Sequence, residues 1–188
     1  MYEEESSTQW RRFAAGDNEA CGWLYTRYVR SLYRYGLHFT PDGEAVKDCI
    51  QDVFTYLYRN RRRLPVPDNV EVYLFVALKN SLLRYLGSHF VHDREDGEET
   101  PFLLCPTVED EYIDDEQLRR RQEMIRRFLA VLSPRQKEII YYRFMQEMQW
   151  DEICRLMALN YQSAQNLLQR ALQKIREHFP MNVINDEL

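Results

Sequence analysis

One segment constrains how this chain can fold. Residues 91–117 carry eleven acidic side chains and a single basic one. The run His92-Asp93-Arg94-Glu95-Asp96-Gly97-Glu98-Glu99-Thr100-Pro101 is followed by Cys105-Pro106-Thr107-Val108-Glu109-Asp110-Glu111. With two prolines, many like charges and no sustained apolar period, it cannot bury a core of its own and reads as a linker. A structureless loop of roughly 20 residues is long for the inside of one compact domain. The expectation is therefore two domains, over 1–88 and 114–180, joined by an acidic linker over 89–113 and followed by a tail over 181–188.

The same segment explains the net charge of −5. Residues 1–90 carry 12 basic and 11 acidic side chains, and residues 118–188 carry 12 and 8. The deficit belongs to the linker, so overall charge does not stop either flank from facing nucleic acid.

Outside the linker the apolar spacing is helical. Trp10, Phe13 and Ala14 mark a short helix ended by Gly16-Asp17. Leu24, Tyr25, Tyr28, Val29, Leu32 and Tyr33 recur at three and four on a second, ending near Gly36. After the turn Thr40-Pro41-Asp42-Gly43, a third carries Val46, Cys49, Ile50, Val53, Phe54 and Leu57 and stops before Leu64-Pro65-Val66-Pro67. A fourth runs from about Val70 to Leu86 and ends at Gly87.

Beyond the linker a helix from about Asp114 to Leu132 precedes Ser133-Pro134-Arg135-Gln136, a serine cap with proline at the first helical position and a capping-box glutamine. The helix that starts there presents Ile139, Ile140 and Phe144 and breaks near Met145-Gln146-Glu147. Two more span about Gln149–Met157 and Tyr161–His178. The fold class is all-α, with four helices on each side of the tether.

Several functions find no support. No stretch approaches the roughly 18 uninterrupted apolar residues that cross a bilayer. The start, Met1-Tyr2-Glu3-Glu4-Glu5-Ser6, is acidic where a signal peptide is basic and then apolar, so the expected location is cytoplasmic. Cys21, Cys49, Cys105 and Cys154 lack the paired spacing of zinc ligands and read as reduced thiols, mostly buried, with no metal. His38, His89, His92 and His178 stand far apart with no nucleophile or carboxylate at diagnostic spacing. There is no phosphate-binding or dinucleotide-binding glycine pattern. Nothing points to an enzyme, a cofactor or a small-molecule substrate.

The last two helices do point somewhere. A short helix, a tight turn through Ala158-Leu159-Asn160 and a longer helix make a helix-turn-helix, whose second helix can enter the DNA major groove. Ala164, Leu167, Leu168, Ala171, Leu172 and Ile175 would line its buried side. Gln162, Ser163, Gln165, Asn166, Gln169, Arg170 and Lys174 would face out, amides suited to adenine edges and cations suited to guanine or phosphate. Spacing alone equally allows a solvated face on an ordinary helical hairpin.

At these residues the chain resembles the sigma-70 family of RNA polymerase sigma factors, in its short extracytoplasmic-function (group 4) form. Leu132-Ser133-Pro134-Arg135-Gln136-Lys137-Glu138-Ile139-Ile140, Trp150-Asp151-Glu152-Ile153-Cys154 and Leu167-Leu168-Gln169-Arg170-Ala171-Leu172-Gln173-Lys174-Ile175-Arg176 are similar to region 4, with Cys154 where alanine is usual. Asp48-Cys49-Ile50-Gln51-Asp52-Val53-Phe54-Thr55-Tyr56-Leu57-Tyr58 is similar to region 2.2. Tyr73-Leu74-Phe75-Val76-Ala77-Leu78-Lys79-Asn80-Ser81-Leu82-Leu83-Arg84 is similar to regions 2.3 and 2.4, without the family's aspartate shortly after the asparagine. The variant resembles sigma factors of gut-type Bacteroidetes.

The resemblance implies partners. Asp48, Gln51, Asp52 and Phe54 would dock on the β′ clamp helices of core RNA polymerase, and region 4 would meet its β flap. Phe54 reads equally as a core residue. Arg61, Arg62 and Arg63 lead into a proline loop to Asn69, where the family carries a base-reading loop; with Lys79, Asn80 and Arg84 they would hold the minus-10 element of promoter DNA. An arginine cluster is also an ordinary solvated helix end. The seven polar residues of the last helix would read the minus-35 element. The acidic linker would thread toward the RNA exit path or serve as a solubilising tether. A membrane-spanning anti-sigma factor would clamp the two domains. Two other readings remain open, a helix-turn-helix regulator that works without polymerase and a sigma-like adaptor that binds an anti-sigma factor.

Overall fold

The computed structural model describes residues 2–89, 101–104 and 116–179. Most of the expected linker (90–100 and 105–113) and the tail lie outside the described residues, as does Cys105. The chain divides into two compact units, Met1–Glu98 and Glu99–Leu188. Every element among the described residues is helical.

In the first unit α1 spans Tyr2–Ala15, α2 Asn18–Gly36, α3 Gly43–Asn60 and α4 Val70–His89. Their starts are set by side chains that satisfy the orphan N–H groups of a first turn. Asp17 accepts from the N–H of Glu19 and Ala20 at the head of α2, and Asp42 from Glu44 and Ala45 at the head of α3. The Ala20 N–H, aided by the guanidinium of Arg12, holds the Asp17 carboxyl below the usual carboxylate range. Gly16 closes α1 with φ +107°, a left-handed conformation open to glycine. α4 continues through Gly87 to His89, because one glycine weakens a helix by about 1 kcal/mol without ending it.

The core of this unit is aromatic. Tyr35 stacks on Phe75 with ring centroids 4.5 Å apart and meets Phe39 edge-on. Leu32, Val46, Leu78 and Leu82 fill the layer around them with no exposed surface. Gly36 lets α2 approach α3: a Cβ there would run into the Val46 side chain. Cys49 is a buried thiol whose pKa burial pushes up; Cys21 and Cys154 are half-buried and free.

In the second unit α5 spans Glu116–Ala130, α6 Pro134–Ile140, α7 Trp150–Met157 and α8 Tyr161–His178. Ser133 and Gln136 form the reciprocal capping box at α6. Of the apolar residues that this helix presents, Ile139 is buried and Phe144 is 55% exposed. Residues Tyr141–Met145 form a π turn, with the Gln146 N–H bonded to the Tyr141 carbonyl and the Met148 N–H to Tyr142. Tyr142 follows the buried Glu138 and Ile139 at helical spacing and is buried with Tyr141, and the wider turn shifts the register of the residues beyond them.

Phe102, inside the stretch read as linker, is 1% exposed. Its ring lies 5.5 Å from Tyr141 and 6.3 Å from Tyr142, so this point of the acidic segment belongs to the second unit.

Candidate nucleic-acid interfaces

In the first unit α3 carries two opposed faces. Ala45, Val46, Cys49, Ile50, Val53 and Leu57 are buried, which leaves Asp48, Gln51 and Asp52 exposed on the far side. Phe54 sits at the border, half-buried, with its ring edge against Tyr25 at 5.1 Å. Tyr25 itself is 45% exposed, so an aromatic pair flanks the polar face. Tyr25 belongs to the apolar repeat of α2, and only the packing of α2 on α3 brings it to this edge.

α3 runs into a single 3-10 turn, Arg61–Arg63. Arg59, Asn60, Arg61, Arg62 and Arg63 line an open cleft of about 580 Å³. Arg61 is held in it: its guanidinium lies 4.2 Å from the Tyr58 ring centre and donates to the Tyr58 carbonyl. Its Nε is buried with no hydrogen-bond partner. Arg62 and Arg63 are exposed. A cleft of this kind suits a phosphate, which accepts several N–H donors at once.

The proline loop ends at Asn69, which caps α4; its side-chain oxygen accepts from the Val72 N–H and its carbonyl from Tyr73. Asn80 and Arg84 are exposed one turn apart on α4. With Asp52, Tyr56 and Ser81 they line a cleft of about 600 Å³ between α3 and α4. Asp52, expected to meet polymerase, thus shares a cleft with two residues expected to meet DNA. Lys79 differs from its neighbours in being only 9% exposed. It falls in the stripe Phe75, Leu78, Leu82, Leu86, which α4 turns toward the core.

In the second unit α7 and α8 meet across a left-handed turn at Ala158, φ +51°. Ala164, Leu168 and Ala171 are buried, while Leu167, Leu172 and Ile175 are half-buried. Asn160 caps α8 through the Ser163 N–H. Gln162, Asn166, Gln169 and Arg170 are exposed, and Ser163, Gln165 and Lys174 are half-buried. Several bond along the helix: Gln162 donates to Asn166 at 3.0 Å, Gln165 to the Tyr161 hydroxyl at 2.8 Å, and Arg170 to the Asn166 carbonyl at 3.3 Å. Ser163 and Arg170 also line a cleft of about 420 Å³ with Arg135, whose guanidinium donates to the Met157 carbonyl. Arg135 adds a cation to this end of α8 that the reading of α8 alone could not include.

Among the described residues no helix is long and apolar enough to cross a membrane, and no three His, Cys, Asp or Glu side chains are grouped to hold a metal ion.

The comparisons fall on these same two units. Residues 24–89 match sigma-70 region 2, and residues 122–175 match sigma-70 region 4. The chain belongs to the sigma-70 family. It is 20% identical to the ECF RNA polymerase sigma factor SigM of Bacillus subtilis, over 87% of this chain and 97% of that one. The fold is similar to a solved structure of CnrH in complex with the cytosolic domain of CnrY, with a TM-score of 0.60, 17% identity, and coverage of 92% of this chain and 95% of that one.

Proposed function

We propose that this chain is an extracytoplasmic-function sigma factor that binds core RNA polymerase and directs it to specific promoters. The observation that carries this is the pairing, in family order, of an exposed Asp48-Gln51-Asp52 face on α3 with a helix-turn-helix whose second helix presents amides and cations. Neither feature alone would distinguish a sigma factor from a plain DNA-binding regulator. Together they supply a polymerase contact and a promoter contact on one chain.

In this reading Asp48, Gln51 and Asp52 face the basic clamp helices of β′, with Phe54 and Tyr25 as the apolar edge of the contact. Arg61, Arg62 and Arg63 hold phosphates of the opened minus-10 strand, the loop to Asn69 meets its bases, and Asn80 and Arg84 continue the track along α4. The small exposed surface of Lys79 gives it a lesser share. Gln162, Ser163, Gln165, Asn166, Gln169, Arg170 and Lys174 read the minus-35 duplex, exchanging bonds within α8 for bonds to base edges and phosphates. The polymerase, including its β flap toward region 4, performs the chemistry. This chain supplies specificity and helps open the duplex, in the cytoplasm and with no cofactor of its own.

An anti-sigma factor anchored in the membrane completes the reading, supported by the similar structure in which CnrH is held by the cytosolic domain of CnrY. We further propose, from the wording of its motifs, that the chain resembles Bacteroidetes-like members of the family. The test is transcription in vitro by core polymerase from a Bacteroidetes bacterium on a fragmented genomic library, with transcript starts sequenced. Starts that depend on this protein and share two spaced elements are expected. Core binding without such starts would favour the adaptor, and loss of core binding the independent regulator.

A further inference from the structure

The region 2 match begins at residue 24 and leaves α1 outside it. Yet α1 packs against α2, α4 and the arginine turn, and it reaches the proline loop. Trp10, on α1, is 1% exposed, and its indole N–H donates to the carbonyl of Pro65 at 3.0 Å. The ring also meets Tyr73, in the first turn of α4, edge-on at 5.1 Å and Phe13 at 5.7 Å. α1 is in turn tied to α2 where the Tyr28 hydroxyl donates to Ser6 at 2.6 Å.

The loop needs such a brace. Pro65 and Pro67 have no N–H, so neither can donate a backbone bond to stiffen the loop. Its ends are already fixed, at Arg61 by the Tyr58 ring and at Asn69 by the α4 cap. Its middle is fixed by Trp10, 55 positions away in sequence. Beside that anchored carbonyl, the apolar side chain of Val66 is 47% exposed.

We propose that Trp10 is a positioning residue for promoter recognition: through its bond to Pro65, α1 sets the loop 64–69 in the conformation that captures the minus-10 strand. This rests on the minus-10 reading given above. Holding a loop ready before its ligand arrives removes an ordering cost from the binding step, so losing the bond weakens capture of the strand more than it weakens the fold.

The test uses the full chain assembled with core polymerase and the variant Trp10→Phe, which keeps an aromatic ring and removes the N–H. The probes are a labelled single-stranded non-template oligonucleotide carrying the minus-10 element, a duplex carrying the minus-35 element, and core polymerase itself. Affinity for the minus-10 strand is expected to fall about fivefold, as for the loss of one hydrogen bond. Affinities for core polymerase and for the minus-35 duplex are expected to stay within twofold. Trp10→Ala, which also leaves a cavity, would show the same selectivity if it folds.

Unchanged minus-10 binding in Trp10→Phe would overturn the proposal and leave Trp10 a core residue only. An equal loss of core polymerase and minus-10 binding would overturn it too, as damage to the whole domain. Failure of the unsubstituted holoenzyme to bind the strand would instead remove the minus-10 reading, and this inference with it.

Discussion

Among the described residues each domain uses four α-helices, but the two bury different amounts of bulky side chain. Of the twelve largest fully buried side chains among the described residues, ten lie between Trp10 and Leu82 and two, Phe102 and Tyr142, in the second unit. The first domain is a thick aromatic core whose surface carries a loop and a cleft. The second buries a smaller aromatic cluster, Phe102 with Tyr141 and Tyr142, and small residues, Ala164 and Ala171, where α8 packs. The contrast follows from what each must present. A loop keeps its shape only if a rigid body holds it, and in the first domain the buried Trp10 ties the loop at Pro65 to α1. A recognition helix keeps its shape through its own backbone bonds, so the second needs only enough core to fix the angle of α8.

The largest test of that contrast is Phe75→Ala. Removing a ring stacked on Tyr35 should cost about 3–5 kcal/mol in the first domain. Calorimetry should show its unfolding transition fall while that of the second domain stays in place; a joint shift would mean that the two are not separate cooperative units. Next comes the surface of α3. Asp48→Arg with Gln51→Ala should weaken core polymerase binding tenfold to a hundredfold. Circular dichroism and thermal unfolding should barely change, because both positions are exposed.

The counterpart on α8 is Gln165→Ala and Arg170→Ala. Each should relax base preference in the minus-35 element by about 1–3 kcal/mol where it makes a bidentate contact. Selection from a randomised element would read this directly, and an unchanged preference would retire α8 as the reader. A smaller effect is expected of Ser133→Ala, which opens the capping box at α6 and should cost about 1 kcal/mol, visible in the second transition alone.

The smallest effect concerns pH. The Asp17 carboxyl is held below its ordinary value, chiefly by the Ala20 N–H and then by Arg12. Its contribution to the first domain is therefore full above the ordinary carboxylate range and is lost as the pH falls through the lowered value. Asp17→Asn, which still caps but does not titrate, should flatten the acid side of the first domain's melting profile and leave the second unaltered.

Much of this architecture is local and was legible in the chain. Asp17, Asp42, Ser133 and Asn160 act within three residues of themselves, so a helix start can be read from the cap and the spacing after it. The opposition of Asp48, Gln51 and Asp52 to the buried stripe of α3 follows from 3.6 residues per turn. The site was less legible wherever a residue's role depends on a distant partner. Lys79 reads as a cation beside Asn80, yet the packing of α4 leaves it little surface. Phe144 continues the apolar run that starts in α6, yet it stands exposed in the π turn Tyr141–Met145. Phe102 reads as a stray apolar residue in an acidic segment until it meets Tyr141 and Tyr142.

The sequence by itself determined the helices, their caps, the division by an acidic segment and the motifs of the sigma-70 family, because each is written within one or two turns of the chain. Only the tertiary structure decided that Asp52 shares a cleft with Asn80 and Arg84, that Arg61 lies against Tyr58, and that Trp10 holds Pro65. Such contacts depend on how helices pack and on which side chain fills the space between them, and no local pattern encodes that.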